Sequence, residues 1–169
     1  MIEKMHAQIP HRGPDGEGFL SWAPNRSIEI SHHSAQLAPG KLLFSHRRLA
    51  IQDTLSRATQ PMANSDKTLF IILNGEIYNF IELRQSLEKL GCSFSTNSDT
   101  EVLLKAYEVW GREILPRLVG MFTFLILDLR KSCLFVARDF FGIKPLYYSY
   151  KNGSYFFASE LNSLICLDA

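Results

Sequence analysis

Hydrophobic residues fall into short runs along the chain, and turn-forming residues separate most of these runs. After an irregular segment over residues 52–67, a strongly apolar run predicts a strand over residues 68–73, which we expect to end at Asn74 and Gly75. Three short strand candidates come before that segment. These early strands are predicted over residues 19–22, 27–32 and 41–45.

Two amphipathic helices are predicted in the middle of the chain, each with a recognisable start and stop. The first is expected to be capped by Asn79, which has a glutamate three residues later, and to end at Gly91. The second has the same spacing in Ser98 and Glu101 and is expected to end at Gly111.

The last third of the chain is predicted to consist of strands joined by turns. Most of its runs are apolar at consecutive positions, which is typical of strands covered on both faces. Since the turns are too short for helical crossovers, we expect largely antiparallel sheets. Together with the helices, they predict an α+β fold with helices outside and sheets between. The late strands are predicted over residues 121–127, 134–137, 146–150 and 155–158.

Composition narrows the class of protein. The 169 residues fit a single domain over residues 1–169, and a net charge of +1 gives no sign of nucleic-acid binding. The longest apolar run, residues 121–127, is too short to span a membrane, and the first 18 residues do not resemble a signal peptide. Three separated cysteines predict neither disulfides nor a zinc site and favour a cytoplasmic protein.

Two polar segments lie where apolar runs end. An arginine such as Arg47 or Arg48 can bind a carboxylate through two parallel hydrogen bonds, although for an arginine pair taken alone the favoured interpretation is that it is solvated or bound to a nearby acid. Asn74 and Gly75 can donate to a developing oxyanion, and glycine would let a ligand approach the backbone. The alternative for this pair is a tight turn.

Asp99 is the chemically interesting residue of a third segment, at the start of the second predicted helix. Its carboxylate can bind a ligand ammonium group, or it can simply offset the helix dipole. Taken jointly, the three segments supply what is needed to hold a free α-amino acid while its side-chain carbonyl is attacked.

The sequence runs HRGPDGEG, SHRRLAIQD, LNGEIYNF, SDTEVLLKAYEVWG, ARDFFGIKPLYY and FASE resemble, in this order, the glutaminase domain of asparagine synthetases. That domain is a class II glutamine amidotransferase of the N-terminal-nucleophile fold. The resemblance implies a four-layer αββα sandwich. It also implies hydrolysis of glutamine, which supplies ammonia for the ATP-dependent amidation of aspartate or a related acid.

The same resemblance implies a pocket for L-glutamine. Arg48 would bind the α-carboxylate, with the backbone of the next four residues lining the wall. Asn74 and Gly75 would form the oxyanion hole, while Glu76 and Asp99 would contact the amide or ammonium end. The expected pocket residues are Arg48, Leu49, Ala50, Ile51, Gln52, Asn74, Gly75, Glu76 and Asp99.

The nucleophile of this family is a cysteine at the amino terminus, whose free amine serves as the base. Only ten residues precede His11 and none is cysteine, so we expect the nucleophile and the first strand to be missing and the isolated chain to be inactive. Arg12 and Gly13 would support the nucleophile region. The remaining cysteines are expected to be structural: Cys92, Cys133 and Cys166.

The resemblance also implies partners and cofactors. A carboxy-terminal synthetase domain would follow in the same polypeptide and would hold the ATP and Mg²⁺ sites, so no cofactor or metal is expected in this domain. A homodimer of the full-length protein remains open. Residues expected to shape the core and the face toward the partner domain are Arg138, Asp139, Gly142 and Lys144.

Two other functions remain as alternatives. One is a catalytically silent domain that binds glutamine or serves as a scaffold. The other is a metal hydrolase using His11, His32, His33 and His46, which is disfavoured because adjacent histidines on a strand face opposite sides and no ligand spacing recurs.

Overall fold

The computed structural model describes residues 1–34, 37–51, 53 and 55–167. Contacts between Cα atoms divide the chain into two compact units. The first unit comprises Met1–Ala50, Thr59–Pro61 and Pro145–Ala169, and the second comprises Ile51–Ala58 and Met62–Lys144.

Nine strands and four α-helices are found in the described part of the chain. Short 3₁₀ turns lie between some of them, at Pro10–Arg12, Ser56–Ala58 and Gly111–Arg117. In chain order the elements are α1 Ile2–His6, β1 Gly16–Trp22, β2 Glu29–Ser31, β3 Leu42–Arg48, β4 Met62–Ala63, β5 Leu69–Ile77, α2 Phe80–Lys89, α3 Asp99–Trp110, β6 Gly120–Asp128, β7 Cys133–Arg138, β8 Tyr147–Lys151, β9 Ser154–Ala158 and α4 Asn162–Ile165.

The first unit contains a three-stranded sheet in the order β2-β1-β3 and a separate hairpin of β8 and β9. All of its pairings are antiparallel, as predicted. The hairpin turns at Asn152 and Gly153, whose φ angles of 51° and 76° suit a tight primed turn.

The second unit contains a four-stranded antiparallel sheet in the order β4-β5-β6-β7. Helix α3 packs on β5 and β4, and α2 packs on α3, so helices cover one face as predicted. Strand β6 is buried at every position from Phe122 to Asp128, which confirms the prediction from its mostly apolar run. The fully buried residues of this core include Leu69, Ile71, Ile77, Leu87, Leu103, Leu104, Ile114, Phe124 and Ile126.

Two expectations about strands are wrong. Strand β5 does not end at Asn74 and Gly75 but continues through them to Ile77, because both residues pair with β6. The β8–β9 hairpin is not covered on both faces, since Tyr148 and Tyr155 are 70% and 66% exposed. Tyrosine tolerates this because its hydroxyl keeps one end of the ring polar.

The predicted cap of α2 is also wrong, although the helix begins where expected. Asn79 makes no side-chain capping bond. Its amide instead donates to the Arg117 carbonyl and accepts the Val119 N–H, both at 2.9 Å. The side chain therefore holds the segment before β6 in place, and the first turn of α2 goes without that bond.

Candidate functional site

The Asn74–Glu76 segment lies inside β5, opposite β6 in the second unit. Phe122, which pairs with Gly75, uses both backbone groups on its other side. Its N–H donates to Asp139 Oδ2 at 3.3 Å, and its carbonyl accepts the Asp139 N–H at 2.7 Å. Because antiparallel pairs alternate between hydrogen-bonded and non-hydrogen-bonded types, Gly75 and Phe122 form a non-hydrogen-bonded pair. The Gly75 N–H therefore points away from β6.

Asp99 lies on the edge of β5 to which the Gly75 N–H points. Ile77 is two residues further along, so its N–H points the same way, and Asp99 Oδ2 accepts it at 2.9 Å. This edge faces β4, but the pairing with β4 stops at Ile71. Among the described strands of the second unit, none pairs with this edge beside Gly75. A backbone donor and a carboxylate thus share an edge that no described strand of this unit occupies.

The Asp99 carboxyl is buried at the start of α3, with 7% of the residue exposed. Burial raises the pKa of this carboxyl above its ordinary value. The hydrogen bond from the Ile77 N–H lowers the pKa, and the negative charge of Glu76 raises it. A buried carboxylate of this kind gains from a cationic ligand, because an ammonium group would favour the charged form. The geometry therefore fits the predicted ammonium contact.

Gly75 is required by the sheet itself. A Cβ at this position would lie 2.1 Å from the Met121 carbonyl oxygen and 2.6 Å from Phe122 Cα, and φ is +153°. A ligand cannot approach Gly75 from its side-chain side, because the β6 backbone fills that side. What Gly75 offers to a ligand is its N–H on the other edge.

Arg48 ends β3 in the first unit and is buried, with 8% of the residue exposed. Neighbouring strand residues point to opposite faces, and Arg47 lies near Glu17, with its Nη2 3.7 Å from the carboxylate. Arg47 is therefore bound to a nearby acid, which is the alternative that the sequence left open. The buried position singles out Arg48 as the candidate for binding a ligand carboxylate.

The predicted pocket wall follows Arg48 directly. The Asp15 N–H donates to the Arg48 carbonyl at 3.0 Å, and Asp15 Oδ2 accepts the Ala50 N–H at 2.8 Å. The predicted wall residues Leu49 and Ile51 are exposed. Gln52, the last predicted wall residue, lies outside the described residues.

Gly13 is packed against the same strand end. A Cβ there would lie 2.5 Å from the Arg48 nitrogen, so the Gly/Pro-rich turn fits tightly over β3. Arg12 points elsewhere in the first unit, to Glu160 at 3.2 Å, and His11 contacts the same oxygen at 2.8 Å. These hydrogen bonds, that of His11 first, hold the pKa of Glu160 below its ordinary value. The roles predicted for Arg12 and Gly13 toward a nucleophile remain predictions.

Sequence reasoning missed three carboxylates that hold the predicted site segments: Asp15, Asp53 and Glu101. Their contacts are mostly to backbone N–H groups, which no sequence pattern identifies. The only signal was the spacing of Ser98 and Glu101. It correctly predicted the cap, since Ser98 Oγ accepts the Glu101 N–H at 3.2 Å. The Glu101 carboxylate, however, binds other residues.

The loop after β7 is closed by its own polar residues. The Asp139 carboxylate accepts the N–H groups of Ile143 and Lys144 at 2.9 and 3.0 Å. Arg138 donates to the carbonyls of Lys144 and Gly142 at 2.6 and 2.5 Å. Burial would raise the pKa of Asp139, but the backbone donors outweigh it and lower the pKa. These residues shape the loop, and their role toward a partner domain stays a prediction.

The described residues offer little for other kinds of site. They include no cluster of three or more His, Cys, Asp or Glu residues that could hold a metal ion. No helix within the described ranges is long and apolar enough to cross a membrane. Two histidines of the metal alternative bind separate partners, since His32 contacts the Glu17 carbonyl while His11 contacts Glu160.

The sequence matches the glutamine amidotransferase domain family over residues 1–169. It is 44% identical over 165 residues to a glutamine-hydrolysing asparagine synthetase of Bacillus subtilis, covering 98% of this chain and 23% of the relative. It is 39% identical over 164 residues to a glutamine-hydrolysing asparagine synthetase of Zea mays, covering 96% and 25%. The chain thus spans about a quarter of the length of these relatives.

A solved structure resembles the chain closely. Glutamine phosphoribosylpyrophosphate amidotransferase of B. subtilis, complexed with ADP and GMP, superposes with a TM-score of 0.83 at 25% identity, covering 98% of this chain and 40% of that one. The likeness, with the helices and antiparallel sheets, confirms the predicted α+β fold of the N-terminal-nucleophile type. The chain belongs to the glutamine amidotransferase domain family.

Proposed function

We propose that the chain is the glutamine-binding domain of an asparagine-synthetase-like amidotransferase. Its family and the printed names of its relatives support this assignment. In the whole protein, a synthetase domain would use the released ammonia to amidate aspartate or a related acid. That domain, rather than this one, would hold ATP and Mg²⁺. The protein would act in the cytoplasm.

The observation that carries the proposal is the edge of β5. The Gly75 N–H and the Asp99 carboxylate lie on the same edge, two strand positions apart through Ile77. Successive residues on one edge of a strand are about 6.5 Å apart. This separation suits an amino acid whose carboxamide oxygen approaches Gly75 while its ammonium group approaches Asp99. Asn74 would supply the second donor to the oxyanion.

Arg48 would complete the pocket by binding the α-carboxylate of glutamine. Its planar guanidinium can donate two parallel hydrogen bonds, a geometry that a free carboxylate matches and a peptide carbonyl does not. Leu49 to Gln52 would line the pocket beside it.

Isothermal titration calorimetry with L-glutamine tests the pocket. Arg48→Gln should weaken binding about 10- to 100-fold, because a charge-assisted bidentate contact contributes roughly 1.5–3 kcal/mol. Arg47→Gln is the matched control on the next strand position and should leave the affinity within about twofold. Equal affinity in both variants, with unchanged melting, would remove Arg48 from the site. No measurable binding by the unsubstituted chain would overturn the proposal.

In the whole protein, hydrolysis of glutamine would be the second part of the function, whereas the polypeptide by itself would lack it. The 169-residue polypeptide contains cysteine only at positions 92, 133 and 166. Cys92 follows the carboxyl end of α2, where the helix dipole disfavours a thiolate. We therefore propose that this polypeptide binds glutamine without hydrolysing it. A coupled glutamate dehydrogenase assay should detect no ammonia above the buffer blank, and release that is lost in a triple Cys→Ser variant would contradict this.

A further inference from the structure

Asp53 lies two residues beyond Ile51 in the second unit, and its carboxylate is engaged on three sides. Oδ2 accepts the Asn97 N–H at 2.7 Å and a guanidinium hydrogen bond from Arg57 at 3.2 Å. Oδ1 accepts the Leu55 N–H at 3.3 Å. Only 2% of the Asp53 side chain is exposed, although Ile51 and Leu55 beside it are mostly exposed. The carboxylate is therefore turned inward from an outward-facing segment.

Asn97, whose N–H donates to Asp53, belongs to a loop that several hydrogen bonds hold in place. The Glu101 carboxylate accepts the N–H and hydroxyl of Ser95 at 2.8 and 2.9 Å, and the N–H and hydroxyl of Thr96 both at 2.6 Å. Arg84 donates to the Thr96 carbonyl at 3.0 Å. Asn97 comes next in the chain. A rigid loop is what a positioning contact requires, because a mobile one would transmit no constraint.

The same loop leads directly into Asp99. Asn97 precedes it by two residues, and Ser98 between them caps α3. The hydrogen bond from Asn97 to Asp53 thus connects the segment after the predicted pocket wall to the residue predicted to bind the ammonium group. We propose that Asp53 is a positioning residue for the glutamine pocket, fixing the Ile51 end of the wall relative to Asp99. This inference rests on the proposed function.

The backbone of Asp53 supports the inference. Its φ is +44°, a left-handed conformation that ordinary L-residues rarely adopt. Aspartate tolerates this conformation better than most residues, since its short side chain hydrogen-bonds locally. The Asn97 N–H, ahead of the other contacts, lowers the pKa of the Asp53 carboxyl, so the contact persists in its ionised form at neutral pH.

Two substitutions at Asp53 separate positioning from ordinary stabilisation. Asp53→Ala removes every acceptor and should weaken L-glutamine binding about tenfold in calorimetry. It should also accelerate hydrogen exchange of the Asn97 amide. Asp53→Asn keeps one oxygen that can face Asn97 and should recover most of the affinity. Arg57→Gln is the control, since it removes the ion pair but leaves the Asn97 contact, and its affinity should match the unsubstituted chain.

The outcomes distinguish this inference from the proposed function. Failure of the unsubstituted chain to bind glutamine would overturn the proposed function, and this inference with it. Normal binding by the unsubstituted chain and by Asp53→Ala would overturn the positioning role alone. Equal losses in Asp53→Ala and Asp53→Asn, with normal Asn97 exchange, would also overturn it, because the effect would then not pass through this hydrogen bond. Weaker binding with faster Asn97 exchange, restored by asparagine, supports it.

Discussion

Replacing Gly75 by alanine separates the structural role of this glycine from its proposed role toward a ligand. The added methyl group would lie 2.1 Å from the Met121 carbonyl oxygen and 2.6 Å from Phe122 Cα. Both atoms are backbone of the paired strand β6, so no side chain can move aside to relieve the clash. The nine-residue pairing of β5 with β6 would have to separate at the end that contains Gly75.

Gly91 provides the matched control for this substitution. It also has a positive φ, +87°, but a Cβ there would have no neighbour within 4 Å. Gly91→Ala should therefore cost only the conformational penalty, about 1–2 kcal/mol. Gly75→Ala adds the strand separation and should cost in excess of about 4 kcal/mol, the range reached when a packed interior is disrupted.

Thermal unfolding followed by circular dichroism measures the difference. For a chain of this size, 1 kcal/mol corresponds to roughly 2–4 °C in Tm. Gly91→Ala should lower Tm by about 2–8 °C and Gly75→Ala by more than about 10 °C. If the two variants melted within about 3 °C of each other, β5 and β6 would not be held at this spacing and the structural explanation of Gly75 would be refuted.

The remaining predictions concern buried ionisable groups. Asp99→Asn should equal or exceed the unsubstituted chain in urea-measured stability at pH 7, because its amide oxygen can still accept the Ile77 N–H, whereas Asp99→Ala should lose about 1–3 kcal/mol. Burial raises the folded-state pKa of Asp99, so the unsubstituted chain should lose stability relative to Asp99→Asn as pH rises from the unfolded pKa through the folded one. Burial would raise the pKa of Glu101, but the hydrogen bonds that Thr96 and Ser95 donate to its carboxylate have the larger effect and lower the pKa. The stabilisation of the folded chain by the ionised Glu101 carboxylate should therefore be present at pH values above its unfolded-state pKa and fade as pH falls through its folded-state pKa. The Glu101→Gln variant should lack this pH dependence. Burial, with the charge of Asp128, raises the pKa of Tyr107 to about 12, so ultraviolet titration should show a late-ionising tyrosine that Tyr107→Phe removes.

Elements whose boundaries depend on nearby residues could be predicted from the sequence. Ser98 begins α3 because its hydroxyl accepts a bond three residues ahead, and Gly91 and Gly111 follow their helices with positive φ. These are interactions over a few residues, so the sequence pattern contains them. The apolar run of β6 likewise predicted a strand buried on both faces.

Features that depend on distant partners could not be predicted. Strand β5 extends through Asn74 and Gly75, two poor strand formers, because β6 lies alongside. Asn79 forgoes capping because the segment around Val119 happens to lie within reach. The contact between Asp53 and Asn97 spans 44 residues and ends on a backbone N–H, which every residue except proline carries.

The burial of Asp99 distinguishes its structural role from its proposed function. Accepting the Ile77 N–H requires only a neutral oxygen, which asparagine would provide without the cost of a buried charge. A carboxylate whose pKa is raised by burial is therefore a poor choice for structure alone. It becomes a good choice once a cation completes the site, because the ligand then repays the desolvation. A stabilising Asp99→Asn substitution that also abolished glutamine binding would show that this position trades stability for binding.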